Sequence, residues 1–464
     1  FVGGTASHVG KSWFATAFCR LLRNRGVRVA PFKAQNMSNN SYPCVEGGEI
    51  GRAQAAQAEA CGLPAMADMN PVLLKPNSAT GSQVVVRGKV WTSVEAADYG
   101  GHTEFLFAKS LESFERLSGQ FETIVCEGAG SVAEVNLYDR DFTNLRMAAA
   151  ARAKTLLVAD IERGGVFASL VGTFDLLPPE RRALIRAFAV NRFRGDRSLF
   201  DEGVRFLEER LGVPCLGVFP LDRSIQVDEE DSLSLDELVK PPAGHPVAIL
   251  RFPRISNFTD FASLGEVDWI DAQQPAHRAY QAVILPGSKN TLEDLAWMRA
   301  RKLDTWVIDQ ARRGARVLGI CGGYQMLGES VSDPDGVETA AGSVEPGLGL
   351  LPVRTTLRHP KITRCVAAFT PKGVRFQAYE IHMGRTTGGQ ELDPFARFDN
   401  GTVDGCVQGN VAGTYLHGAL DVPEAVAEFL GVDATRPRRE EHYDALAQWL
   451  TAYSKPEVLE DLLA

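Results

Sequence analysis

The sequence predicts an α/β protein of two doubly wound domains with mostly parallel sheets, spanning residues 1–240 and 247–464. Three observations predict it. Gly4-Thr5-Ala6-Ser7-His8-Val9-Gly10-Lys11-Ser12 is a phosphate-binding loop between an apolar strand end and a helix. Residues 317–320 are apolar and run into Cys321-Gly322-Gly323-Tyr324-Gln325, which reads as a buried strand, a tight glycine turn with a cysteine at its apex, and a helix start. Strands alternate with helices throughout the first half, which indicates parallel strands, helices on both faces and ligands at the strand C-termini. Pro241-Pro242-Ala243-Gly244-His245-Pro246 is the clearest linker and marks the boundary.

The phosphate loop has five residues between its glycines, one more than the usual spacing, but it keeps the Gly10-Lys11-Ser12 ending and the following helix. Backbone N–H groups of a loop containing Gly4, Thr5 and Gly10 cradle phosphates, Lys11 reaches the β/γ oxygens of ATP, and Ser12 is suited to ligate Mg²⁺. Residues 13–25 read as a helix stopped by Gly26. The strand at 27–32 ends in a stretch with one cation and many amides and hydroxyls. Lys33, Gln35, Asn36, Ser38, Asn39 and Asn40 make it a poor helix or strand, and either a solvated turn or a good loop for binding an oxygen-rich ligand. Residues 51–60 form an Ala-rich helix whose Arg52, Gln54 and Gln57 face either that ligand or water. Residues 70–76 and 81–86 read as strands, and 103–117 as an amphipathic helix burying Phe105, Leu106, Ala108, Leu111 and Phe114. The strand at 123–126 ends in Glu127 and a glycine turn, the place where a phosphate-loop protein holds Mg²⁺. The strand at 156–159 repeats the design with Asp160 as a second metal candidate. Residues 187–190 lead to Asn191, placed to read a nucleotide base, and 215–220 form one more strand. The acidic run 228–231 reads as a solvated loop.

The second half opens a new sheet at 247–250. Residues 282–285 enter the turn Pro286-Gly287-Ser288, whose backbone N–H groups, with that of Gly322, are suited to form an oxyanion hole opposite Cys321. The helix behind the cysteine favours negative charge and hence the reactive thiolate, with the sulfur projecting to solvent above the sheet edge. The thiolate needs a base that later protonates a leaving amine. His382 and His417 are both available, and His417, between a strand and a glycine turn, is the better placed. From Pro423 onward the chain reads as a helical tail of the second domain, with Trp449 and Leu450 as apolar anchors.

The totals bound the function. At 464 residues, with 45% hydrophobic and 23% charged residues, the chain has material for two cores. A formal charge of -9 argues against affinity for nucleic acid or anionic membrane. No apolar run reaches membrane-spanning length, no signal peptide is expected, and Phe1-Val2 read as the end of a strand begun further upstream. The eight cysteines include no CxxC pair and no Cys/His cluster, which suggests a reduced, cytoplasmic protein. The oligomeric state is not set by sequence.

The second half resembles a class I glutamine amidotransferase, on the Gly319-Ile320-Cys321-Gly322-Gly323-Tyr324-Gln325-Met326-Leu327-Gly328 elbow and the later His417. The resemblance implies that Cys321 attacks the carboxamide of glutamine, forms a glutamyl thioester and releases ammonia. Most such domains carry a Glu two residues after the His. Here that position is Ala419, a departure that matches the Cys-His dyad of the cobalamin-pathway branch. The first half is similar to the dethiobiotin-synthetase-like ATPases, including the five-residue spacing. Residues 33–41, 51–58, 127–135, 158–168 and 191–196 extend the resemblance to the corrinoid-amidating enzymes over essentially the whole chain. This implies ATP- and glutamine-dependent amidation of the b, d, e and g carboxylates of adenosylcobyrinic acid a,c-diamide, a corrinoid polycarboxylate, through acyl phosphates. The 33–41 loop resembles that activity more than its relative, cobyrinic acid a,c-diamide synthase. A partition-type regulatory ATPase with a decayed amidotransferase domain is the rival from another class. Ammonia made next door requires the two centres to face each other across the domains, and the amide-rich loop is expected to line a broad polar groove.

Overall fold

The computed structural model describes residues 1–77, 80–138, 140–227, 243–271, 279–435 and 439–464. The acidic run 228–231 and the first two prolines of the linker lie outside the described residues. In the first half the strands β1 (Val2–Gly4), β2 (Val29–Phe32), β3 (Thr123–Cys126), β4 (Thr155–Asp160), β5 (Ile185–Phe193) and β6 (Cys215–Pro220) are all parallel. Hydrogen bonding runs β1-β4-β5-β6 and β2-β3, and a parallel bridge between Val2 and Glu127 joins the two groups. These strands are almost wholly buried, as expected of a sheet covered on both faces. The phosphate loop follows β1 and Glu127 follows β3, so both arrive at the same sheet edge.

Helix α1 (Lys11–Asn24) starts at Gly10, whose φ of 103° only glycine adopts readily, and a Cβ there would lie 2.2 Å from the Asn191 amide. Helix α2 (Arg52–Cys61) is buried along almost its whole length, which its alanines permit. A hairpin of Ser41–Pro43 and Glu49–Gly51 precedes it, and a four-stranded layer of Gln35–Met37, Val72–Pro76, Gly81–Val86 and Lys89–Glu95 flanks it. The helix Thr103–Ser118 forms where expected, but its buried face is Thr103, Leu106, Ser110, Ser113 and Leu117. Phe105 and Ala108 face outward. The stripe is set by the i, i+3, i+7 spacing from Thr103 through Leu106 and Ser110, and Phe105 instead stacks on the half-exposed Trp91, 4.9 Å between ring centroids.

The second half holds a six-stranded sheet whose parallel members are, in spatial order, β8 (Asp268–Ile270), β7 (Val247–Leu250), β9 (Ala282–Leu285), β10 (Arg316–Ile320) and β11 (Val411–Thr414), edged by the antiparallel strand Cys406–Gln408. Against it stands an antiparallel layer dominated by a long hairpin, Val353–Phe369 with Arg375–Gly388. The mostly parallel expectation therefore holds for the central sheet and misses this second layer.

The C-terminal tail departs from the predicted domain division. Helices α3 (Arg439–Tyr453) and α4 (Pro456–Leu463) pack on the first half. Trp449 lies among Phe14, Phe219 and Trp13, and its indole N–H donates to the Pro220 carbonyl at 3.2 Å. Arg20 binds Glu440 and Asp444 at 2.6 and 2.7 Å. The anchors were read correctly, but the core they complete is that of the nucleotide domain.

Candidate active sites

At the first site, Ser12 Oγ donates to Glu127 Oε1 at 2.8 Å. The same oxygen accepts from the Lys33 ammonium at 2.9 Å, and Gln57 Nε2 donates to Glu127 Oε2 at 2.6 Å. Burial opposes ionisation of Glu127, but the Lys33 charge and these three hydrogen bonds hold its carboxyl below the ordinary range. Lys11 bonds the carbonyls of Ala6 and Gly130, each at 2.9 Å, which fixes its ammonium inside the curve of the loop. Thr5 is held by the Val158 carbonyl. A Cβ at Gly4 would press on Val9 and Lys11. Asn191 does not stand open to a base: its Nδ2 donates to the Val9 carbonyl at 2.8 Å and braces the loop.

Ser12 and Glu127 are hard oxygen donors of the kind that would suit Mg²⁺. The second metal candidate is engaged by other groups. Asp160 accepts from Arg192 at 3.0 Å and from the Glu162 backbone at 2.7 Å. Among the described residues no group of three or more His, Cys, Asp or Glu is placed to hold a metal ion.

The amide-rich segment is not an open groove. Lys33, Asn36, Ser38, Asn40, Arg52 and Gln54 are all buried. Asn36 Nδ2 donates to Gln54 Oε1 at 2.7 Å, Tyr99 donates to Gln35, and Arg52 bonds Glu59 at 3.1 Å and lies over the Tyr42 ring. Polar groups excluded from water must find one another, so the loop folds into a packed polar layer. Among the described residues, Gln54 Nε2, Gln57 Oε1 and Asn39 Oδ1 are buried atoms of this layer without a protein hydrogen-bond partner. Gln57, read from the sequence as facing either ligand or water, joins Lys33 on the Glu127 carboxylate.

At the second site, Cys321 has φ 52° and ψ -108°, a conformation costly for a residue with a Cβ, and caps the short helix Gly322–Leu327. The glycines make the turn possible by contact: a Cβ at Gly323 would lie 2.0 Å from the Leu285 carbonyl oxygen, and one at Gly322 would lie 2.9 Å from Ser288 N. Ser288 thus stands directly against the elbow, and Gly287 lies beside the His417 ring. Ser288 is fixed by its hydroxyl bond to Asp294 at 2.6 Å. The sulfur is not exposed above the sheet. Cys321 is 6% accessible and faces a cavity of about 50 Å³ lined from both halves: Asn39, Ser41 and Lys75 from the first, with Cys321, Gln325 and His382 from the second.

His417, the base expected from the sequence, lies beside the Gly287 turn. Its Nδ1 is 2.6 Å from Asp260 Oδ2, and its Cε1 would lie 3.3 Å from a Cβ on Gly287. Burial alone would lower its pKa; the Asp260 carboxylate, then the Cys321 thiol, raise it to about 10. His382 lines the cavity but is engaged elsewhere. Its Nδ1 meets the Gly384 carbonyl at 2.9 Å, its ring stacks on Tyr415, and burial pushes its pKa down despite Glu380. Asp260, on the turn Phe258–Leu264, was missed by sequence reasoning. Its position carries no motif, and only the fold brings it to His417.

This pairing of a phosphate-loop nucleotide site with a cysteine elbow defines an ATP-dependent glutamine amidotransferase of two fused domains. Residues 1–235 match the CobQ/CobB/MinD/ParA nucleotide binding domain, and residues 246–425 the CobB/CobQ-like glutamine amidotransferase domain. The chain is 46% identical over 477 residues to the cobyric acid synthase of Chlorobium phaeobacteroides (strain BS1), covering 96% of this chain and 95% of that one. It is 48% identical over 447 residues to that of Chlorobaculum tepidum (92% and 89%), and 46% identical over 475 residues to that of Parabacteroides distasonis (96% and 94%). The chain belongs to the cobyric acid synthase family.

Proposed function

We propose that the protein amidates the b, d, e and g carboxylates of adenosylcobyrinic acid a,c-diamide, consuming ATP and taking nitrogen from glutamine. One observation carries this reading beyond family membership. The cavity that holds Cys321 is walled by Lys75 of the nucleotide half and by Asn39 and Ser41, which follow closely along the chain from the Lys33 that grips Glu127. A nitrogen species released at the sulfur emerges against the polar layer of the other site.

The chemistry follows from the groups present. The Cys321 thiolate attacks the glutamine carboxamide carbon. A C–S bond forms, the oxyanion rests on the N–H groups around Gly322 and Ser288, and the C–N bond breaks as His417 gives its proton to the departing nitrogen. Ammonia leaves, and water hydrolyses the thioester to glutamate. In the other half a substrate carboxylate oxygen attacks the γ-phosphorus of ATP and expels ADP. The resulting acyl phosphate has the leaving group a carboxylate lacks, and ammonia displaces phosphate to give the amide. Lys11 and the loop N–H groups neutralise charge on the transferring phosphoryl group. Mg²⁺, held by Ser12 and Glu127, would supply further charge neutralisation there.

The test supplies glutamine, MgATP and cobyrinic acid a,c-diamide to the purified protein and counts added amides by mass spectrometry. Four are expected, and none would remove the reading. Cys321→Ser should abolish the glutamine-driven reaction and keep that driven by ammonium salt. Lys11→Ala should lose both.

A further inference from the structure

We infer that Asp260 is the positioning residue for His417, so that the glutaminase centre is a three-membered Cys321–His417–Asp260 relay whose acid comes from a different part of the chain than the vacant position at Ala419. The inference rests on the glutaminase reading above. Asp260 lies 157 residues before His417 and reaches it with both oxygens accounted for. Oδ2 is 2.6 Å from His417 Nδ1, and Oδ1 accepts from the Gly418 backbone N–H at 3.1 Å. One carboxylate therefore fixes both the ring and the backbone that carries it. Side-chain exposure is 0% for the histidine and 4% for the acid, so no water competes for the bond.

The chemistry of the arrangement is specific. With Nδ1 bonded to a carboxylate, the ring proton of neutral His417 sits on Nδ1, and Nε2 is left as the acceptor. That atom is buried and has no conventional hydrogen-bond partner among the described residues, while the Cys321 thiol is a neighbour of the same ring. When Nε2 takes the thiol proton, the imidazolium formed is paired with Asp260. Tyr379 stacks on the ring at 5.1 Å and pairs with the His417 backbone in both directions, which closes the other side. The nearby acids are committed elsewhere. Asp421, two residues past Ala419, pairs with Arg439 at 2.9 Å, and Glu380 pairs with Arg364. The turn that carries Asp260 begins at Asn257, whose Oδ1 accepts from the Ser41 N–H of the nucleotide half at 3.0 Å. The relay's acid is thus seated where the two halves meet.

The experiment compares wild type, Asp260→Asn and Asp260→Glu for glutamine hydrolysis, for the rate at which iodoacetamide alkylates Cys321 at neutral pH, and for amidation driven by ammonium salt. Asp260→Asn should lower kcat for glutamate release by about a hundredfold or more with KM nearly unchanged. It should slow alkylation in parallel and keep ammonium-driven amidation. Asp260→Glu, which retains a carboxylate, should recover part of both losses. Wild-type kcat and alkylation in Asp260→Asn would overturn the assignment. So would Asp260→Glu as impaired as Asn in a protein that still uses ammonium, or a rise in KM alone. If Asp260→Asn loses ammonium-driven amidation too, the Glu variant decides. A wild-type protein that releases no glutamate removes the glutaminase reading itself, a result distinct from any of these.

Discussion

Glu127 shows how much one side chain carries. It accepts from Ser12, Lys33 and Gln57, and both it and Lys33 are out of water. Removing one partner of a buried ion pair leaves the other uncompensated, at about 3–5 kcal/mol. Glu127→Ala should therefore lower stability on that scale in denaturant titration. The isosteric Glu127→Gln should keep more of the fold, lose amidation with either nitrogen source, and still release glutamate. Asp294 gives a different readout. It sits beneath the oxyanion turn, bonded by Ser288, and burial raises its pKa to about 7, with the Ser288 bond and Arg254 opposing. An acid that binds its proton more tightly when folded contributes stability fully present below its unfolded pKa of about 4, and lost as pH rises through about 7. Asp294→Asn cannot ionise. The Tm advantage of wild type over this variant should shrink between pH 4 and 8, and a constant difference would show that Asp294 titrates normally. Glu127 and Cys321 were legible in the sequence because each ends an apolar strand and precedes glycines. Asp294 and Asp260 were not, because their partners are decided by packing.

Elements were legible where local chemistry alone makes them. Glycine opens the elbow, and alanine lets α2 lie buried on nearly every side. The long hairpin of the second half escaped because its strand Val353–Phe369 mixes buried and exposed positions without steady alternation. The tail was placed with the wrong domain for a related reason: a sequence shows that Trp449 is an anchor, not which surface receives it. That surface is the Phe14–Phe219 face, with centroids 5.3 and 4.7 Å from the indole. Truncating a buried aromatic costs about 3–5 kcal/mol. Trp449→Ala should thus destabilise the nucleotide half, and ATP binding measured by calorimetry should fail at a lower temperature than glutamine hydrolysis. Equal loss of both would show that the halves unfold as one unit. Gly323→Ala acts on the other half. Its methyl would enter the Leu285 carbonyl, so glutamate release should fall to background while ammonium-driven amidation persists.

At the scale of the whole molecule, two centres on one chain are useful only if nitrogen passes between them without escaping. The sequence announced both centres and said nothing of the contact that aligns them. That contact includes Glu49, buried at the start of the strand that leads into α2. Its Oε2 accepts from Lys75 and Ser41, both at 2.7 Å, and its Oε1 from Lys361 of the long hairpin. Lys75, Lys361 and Ser41 also line the Cys321 cavity. Lys361 is the only member of this group from the second half, so Lys361→Met removes the pair across the domains and leaves Glu49 neutralised by Lys75. The variant changes the cavity wall but no residue named in the chemistry of either centre. Glutamine hydrolysis and ammonium-driven amidation should each persist, but the seal between them should loosen. Glutamate and corrinoid amide should form in a ratio near one in wild type and well above one in Lys361→Met, with the excess nitrogen trapped as free ammonia by a coupled dehydrogenase. An unchanged ratio would mean that the cavity wall does not depend on this ion pair, and that alignment rests on the Asn257–Ser41 contact and the packed rings of Tyr42 and Tyr379 instead.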